Sequence, residues 1–273
     1  MTKIITIGTG APRNFMRSGR ICSSTVVFVA HDAMLFDCGS GTTVNLMKAQ
    51  ISPWDIDHLF FTHHHYDHDV DYPTFFLTRW DLGAGTAAKL HVYGPEGTER
   101  MTDVLFGAGG IYARDIEARL KWSGSLRAYQ SIGGKLPRKP PEVEAHDLLP
   151  EVTFERNGWK ITTGLALHAQ PWLDSLAYRI DTGEGTVVIA GDTYYSRTVE
   201  DLAADADVLV LSAMNQPSRG IARLATDARV KKLVLTHFGY PASDPQALQL
   251  EQDVRQIFKG EVVMAEDLME VQV

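Results

Sequence analysis

The chain has 273 residues, 44% hydrophobic and 22% charged, with 34 Asp and Glu against 26 Lys and Arg for a formal charge of −8. That length supports one large domain or two packed halves, and 23 Gly with 12 Pro excludes fibrous repeats and disorder. The acidic balance argues against a nucleic-acid partner, since the most basic stretch, Lys135-Leu136-Pro137-Arg138-Lys139-Pro140, holds only three cations.

No apolar run reaches the roughly 20 residues that span a bilayer, so no membrane association is expected. No charged and apolar leader precedes the first strand-like alternation, and Cys22 and Cys38 are the only cysteines. A cytoplasmic enzyme with reduced thiols is the expectation.

In chain order, the first half predicts strands at 3–7, 25–29, 33–36, 58–62 and 89–93, with helices at 41–49, 69–79, 95–105 and 111–122. The second half predicts strands at 152–155, 159–167, 175–180, 186–190, 208–211, 233–236 and 262–265, and helices at 196–203 and 245–258. Ser243 or Asp244 can cap the last helix, with Pro245 in its first turn and Gly260 beyond its end.

Alternating strands and helices define an α/β protein. The halves echo each other: Asp37 and His63 end strands in the first, Asp192 and His237 in the second. This suggests a single domain over 1–273 with pseudo-duplicated halves at about 1–150 and 151–273. Between them, residues 107–150 are rich in Gly, Pro and charge yet carry Tyr112, Trp122 and Tyr129, and are read as helix plus loop folding over a cleft.

The densest chemical signal is Thr62-His63-His64-His65-Tyr66-Asp67-His68-Asp69, which follows an apolar strand. His63 and His65, two apart on an extended segment, share a face and can address one metal ion. Asp67 and His68, at the turn into the next helix, can reach a second. Imidazole and carboxylate suit zinc, and iron or manganese tolerate them.

His-x-His-x-Asp-His after a buried strand resembles the signature of the metallo-β-lactamase-fold hydrolases. The resemblance covers about residues 3–265, including Gly8-Thr9-Gly10-Ala11-Pro12 and Asp37-Cys38-Gly39-Ser40-Gly41-Thr42. It is nearest the tRNase Z-like branch, through Tyr178-Arg179 after His168 and through Thr236-His237-Phe238. The fold implied is a four-layer αβ/βα sandwich with a helix-loop lid insertion. Position by position, the resemblance assigns His63, His65 and His168 to one metal, Asp67, His68 and His237 to the other, and Asp192 to both. Asp37 is implied to hold a histidine rather than a metal. His31, His58, His91 and His146 fit no such pattern, and His64 faces away from its neighbours.

Two divalent ions, zinc foremost with manganese or iron as alternatives, imply hydrolysis by a metal-bridging hydroxide that Asp67 orients and deprotonates. Tyr194, Tyr195 and Ser212 are candidates to assist. The branch also carries a His-Glu-Ala-Thr stretch where this chain has Leu211-Ser212-Ala213-Met214, and no basic glycine- and proline-rich arm for gripping tRNA is evident. The expected substrate is therefore a small-molecule ester, lactone or thioester. A phosphodiesterase or ribonuclease-like activity is the alternative, and redox chemistry at iron or a binding role on a spent scaffold are weaker ones. The branch is often homodimeric, and aromatic residues across 72–80 either serve a partner surface or form the buried face of a helix, the reading preferred here.

Overall fold

The computed structural model describes residues 2–12 and 18–273. Strands β1 (Lys3–Gly8), β2 (Ser24–Val29), β3 (Asp32–Phe36), β4 (Ile56–Phe60), β5 (Leu90–Gly94) and β6 (Val143–Asp147) lie side by side in chain order. The last strand of the chain, β14 (Met269–Gln272), returns to pair antiparallel with β1 and completes this seven-stranded sheet. A second seven-stranded sheet contains β7 (Thr153–Arg156), β8 (Trp159–Leu165), β9 (Leu176–Thr182), β10 (Thr186–Ile189), β11 (Val208–Ser212), β12 (Lys232–Thr236) and β13 (Glu261–Met264), again in chain order.

The inner faces of the sheets meet in one apolar layer that includes Ile4, Val27, Phe36, Phe60, Tyr178, Val187, Val210 and Val234. Outside the first sheet, α1 (Thr42–Lys48), α3 (Tyr72–Leu82) and α4 (Thr98–Phe106) cover Ile7, Leu35, Leu59 and Val92, while the short α2 (Tyr66–Asp69) buries Asp67 and His68. Outside the second lie α7 (Arg197–Leu202), α8 (Ser218–Asp227) and α9 (Pro245–Ile257), covering Val188, Leu209, Leu211 and Leu235. The αβ/βα sandwich follows. It also explains the unbroken apolar runs, because β10 to β13 are mutually parallel and β11 has every residue buried. The edge hairpin β7–β8 turns on Asn157-Gly158, both at positive φ, the pairing that a two-residue hairpin favours.

Several expected boundaries change. The helix expected at 69–79 is two elements, α2 and α3, with Pro73 in the first turn of α3; a proline is accommodated there because that turn's N–H groups have no helical partner. Tyr72, Phe75, Phe76 and Trp80 are buried, so the aromatic run is the inward face of α3. Asp244 caps α9, its side chain accepting from the Gln246 backbone.

Strands β6 and β14 and helix α8 were not expected. The two strands are short, whereas α8 has a clear apolar stripe, Ile221, Ala222, Leu224 and Ala225, that the sequence reading passed over. The helix-loop insertion is present as α5 (Ala113–Lys121) and α6 (Ser123–Ser131). Its contacts run to α3 and α4: Tyr112 stacks on Phe106, Arg119 and Arg138 pair with Asp81, and Arg138 lies 4.0 Å from the Trp80 ring. No helix among the described residues is long and apolar enough to cross a membrane.

His58 is enclosed between the sheets, stacked 5.5 Å from His91 and edge-on to Trp159 at 5.2 Å. Burial first, then Arg156 and His91, pushes its pKa down to about 4. The unfolded chain, with an ordinary histidine near 6.5, therefore takes up this proton before the native state does. Native stability falls as pH drops from about 6.5 to about 4, by roughly 3 kcal/mol at the limit. The difference in urea-unfolding free energy between His58→Phe and wild type should grow in the variant's favour over that window. Parallel curves would refute this.

Candidate metal centre

All seven residues that the sequence singled out lie past the carboxyl ends of strands that point the same way. His63 and His65 follow β4, with Asp67 and His68 in α2; His168 follows β8, Asp192 follows β10 and His237 follows β12. β8 is antiparallel to β9, which is antiparallel to β10, so β8 and β10 open onto the same edge. The crevice outside the carboxyl ends of strands is where α/β sheets leave room for a ligand.

Backbone geometry aims these side chains. Asp37 and His237 hold φ of 59° and 61°, a left-handed conformation that costs a non-glycine residue roughly 1–2 kcal/mol. The His237 turn is clamped from the first sheet by Phe238 N–H donating to the Thr9 carbonyl at 2.7 Å. Gly39 lets the β3 loop pass against the motif, since a Cβ there would lie 2.0 Å from the Asp67 carbonyl oxygen.

Three imidazole nitrogens meet at the first group: His65 Nδ1 lies 3.0 Å from His63 Nε2 and 3.1 Å from His168 Nε2. At the second, His237 Nε2 lies 3.1 Å from Asp67 Oδ2 and 3.3 Å from His68 Nε2. Asp192 spans them, with Oδ2 at 3.8 Å from His168 Nε2 and 3.5 Å from His237 Nε2, and Oδ1 at 3.9 Å from His68 Nε2. Two nitrogens held about 2.05 Å from one ion in tetrahedral array stand about 3.3 Å apart, so this donor set fits metal ions.

The tautomers agree. The Asp37 carboxylate accepts from the Thr62 backbone N–H at 2.7 Å, from the Thr62 hydroxyl and from His68 Nδ1 at 2.8 Å. With its proton committed to Asp37, the Thr62 hydroxyl accepts from His63 Nδ1 at 3.0 Å. Both His63 and His68 therefore present a bare Nε2 to the crevice. Bare lone pairs facing one another and two carboxylates call for positive charge. Asp192 Oδ1, His168 Nδ1 and His237 Nδ1 are buried with no protein partner.

The electrostatics follow from this crowding. Burial drives His63 well below the usual imidazole range, and His68, His168 and His65 add to it. For Asp192, burial pushes the carboxyl up, but His237, His68 and His63 outweigh it and hold the group well below the ordinary carboxylate range.

His64 is turned out of the cluster, bonded to Asp69 at 3.3 Å and to Thr98 at 2.9 Å. His91, Glu144 and His146 form a separate group on β5 and β6, where Lys89 holds Glu144 at 3.1 Å. Sequence reasoning missed Thr62 and Asn215. A threonine precedes both His63 and His237, but nothing in the sequence separates their roles. Asn215 hydrogen-bonds Ser212 Oγ at 3.2 Å and helps hold Asp192 ionised.

The sandwich and its histidine–aspartate crevice define a metal-dependent hydrolase. The chain belongs to the metallo-β-lactamase superfamily, whose family model matches residues 17–237. It is tRNase Z-like: Ribonuclease Z from Mycobacterium sp. (strain KMS) is 28% identical over 295 residues, covering 100% of this chain and 96% of that protein. Among solved structures, the metallo-β-lactamase-fold protein YhfI from Bacillus subtilis is 19% identical with a TM-score of 0.73, covering 99% of this chain and 98% of that one. The short form of human tRNase Z is 22% identical with a TM-score of 0.68, covering 100% and 99%.

These comparisons correct two expectations. Neither a small-molecule ester, lactone or thioester substrate nor the exclusion of nucleic acid as partner stands, because relatives matching the whole chain are named Ribonuclease Z. The acidic total misled because net charge sums the whole surface, whereas a substrate meets only the field at the rim of the crevice.

Gly39→Ala should force Asp67 away from the cluster. Metal content per chain, read by atomic emission, is expected to drop by at least half while the far-ultraviolet spectrum stays native. Full metal content would show that the loop yields instead.

Proposed function

We propose that the chain is a phosphodiester hydrolase that cuts RNA at a centre of two divalent ions. His63, His65 and His168 would hold one ion, Asp67, His68 and His237 the other, and Asp192 both. Zinc suits the imidazole-rich donor set best. The observation that carries the reading is the convergence of these seven side chains, with Asp192 reaching into both groups, in a chain whose full-length relatives are Ribonuclease Z. A cytoplasmic site of action accords with the free, buried thiols of Cys22 and Cys38.

When bound, such ions polarise a phosphoryl oxygen and bring the pKa of water towards neutrality. The protein does the rest. Asp67 has Oδ2 tied to His237 and an Oδ1 free of hydrogen bonds, so it can orient the attacking water and take its proton. Burial opposes that ionisation, but His237 and His68 beside the carboxyl prevail and hold Asp67 below its ordinary value. Asp37 and Thr62 keep His68 and His63 in the tautomer that leaves Nε2 free. Leu211 is packed in the apolar core, so no side chain at that position can donate a proton to the leaving oxygen.

Metal-reconstituted protein should hydrolyse bis(p-nitrophenyl) phosphate, and Asp192→Ala should lower turnover by at least 100-fold. Turnover of p-nitrophenyl carboxylic esters without diester turnover would overturn the reading. Asp37→Asn should weaken metal binding 10- to 100-fold in a chelator competition, the usual effect of losing a group that orients a ligating histidine. Unchanged affinity would remove Asp37 from that role.

A further inference from the structure

Beside the metal centre, a groove of about 490 Å³ runs between the loop after β10 and the start of α8, lined by Tyr194, Tyr195, Gln216, Arg219 and Arg223. The Tyr194 ring lies 6.4 Å from the His168 ring, and Tyr194 N–H donates to the Leu167 carbonyl at 2.7 Å.

Three features of this groove do nothing for the fold. Tyr194 and Tyr195 are 53% and 45% exposed, and Tyr195 is pinned by its hydroxyl to Glu200, so its ring faces solvent as a fixed plate. Arg219 and Arg223 stand one turn apart on α8, both exposed and without an ion-pair partner among the described residues, whereas nearby Arg197 is held by Glu200 and Asp201. Gln216 is only 9% exposed, yet neither its amide nitrogen nor its amide oxygen has a hydrogen-bond partner. A buried carboxamide with donor and acceptor both unmet costs stability, and it matches the paired donor and acceptor on the edge of a nucleobase.

We propose that this groove is the subsite for the RNA nucleotides flanking the scissile phosphate, an inference that rests on the phosphodiester reading above. Gln216 reads a base edge, Tyr194 and Tyr195 offer stacking faces, and Arg219 and Arg223 take the backbone phosphates. Aromatic plates beside unpaired cations are the usual platform for a single strand.

The test is fluorescence polarisation of 3′-labelled ribo-octamers, A8, C8, G8 and U8, on metal-loaded protein at 4 °C across a salt series, with oligomer length checked on denaturing gels. The double variant Arg219→Ala/Arg223→Ala should bind at least tenfold more weakly, and its slope of log affinity against log salt should shrink by about 1.4. Tyr194→Ala should weaken binding roughly tenfold. Gln216→Leu should collapse the spread of Kd among the four octamers to under twofold with the salt slope unchanged, an effect that a merely structural glutamine would not produce. Wild-type binding with an unaltered slope in the double variant, or an unaltered spread in Gln216→Leu, overturns the subsite and leaves the phosphodiester reading standing. If the wild type neither binds any octamer nor turns over bis(p-nitrophenyl) phosphate, the phosphodiester reading fails and takes the subsite with it.

Discussion

A single buried carboxylate organises the working edge of this molecule. Asp37, 3% exposed at the end of β3, accepts hydrogen bonds from the Thr62 backbone, the Thr62 hydroxyl and His68 Nδ1. Through those bonds it sets where the histidine motif leaves β4, which nitrogen of two imidazoles is bare, and how α2 seats against the β3 loop. Burying an ion is expensive unless its lone pairs are filled, and here three donors fill them. Its own backbone is held left-handed to make this possible, so local strain is spent on aiming the group that aims the others.

From that anchor the charge logic of the crevice follows. Five imidazoles and two carboxylates converge with several lone pairs facing each other, an arrangement that repels itself unless cations lie among them. Divalent ions there would offset the carboxylates and give the converging lone pairs a partner. A formal charge of −8 is thus compatible with the proposed RNA substrate, because net charge sums the whole surface and a ligand meets only the local field.

Much of the fold was legible because parallel strands covered on both faces must be apolar throughout. The runs around 186–190, 208–211 and 233–236 stood out for that reason. The elements that escaped notice have weak local signals. β14 is an edge strand of four residues whose pairing with β1 joins opposite ends of the chain. α8 is the exception, since Ile221, Ala222, Leu224 and Ala225 line one face and were legible in the sequence.

The sequence by itself determined the chemistry of the candidate donors. His63, His65, Asp67 and His68 crowd into one loop because a short spacing after a strand presents them together, and a motif that local is read without knowing the fold. It also contained His168, Asp192 and His237, though only resemblance tied them to the motif. The tertiary structure alone decided what they face, because residues over a hundred positions apart meet only when two sheets close on a common edge. It decided the tautomers, through a carboxylate 31 positions from the histidine it holds. It decided the groove as well: unmet hydrogen bonds on Gln216 and unpaired charge on Arg219 and Arg223 are properties of surroundings, which a linear chain does not state.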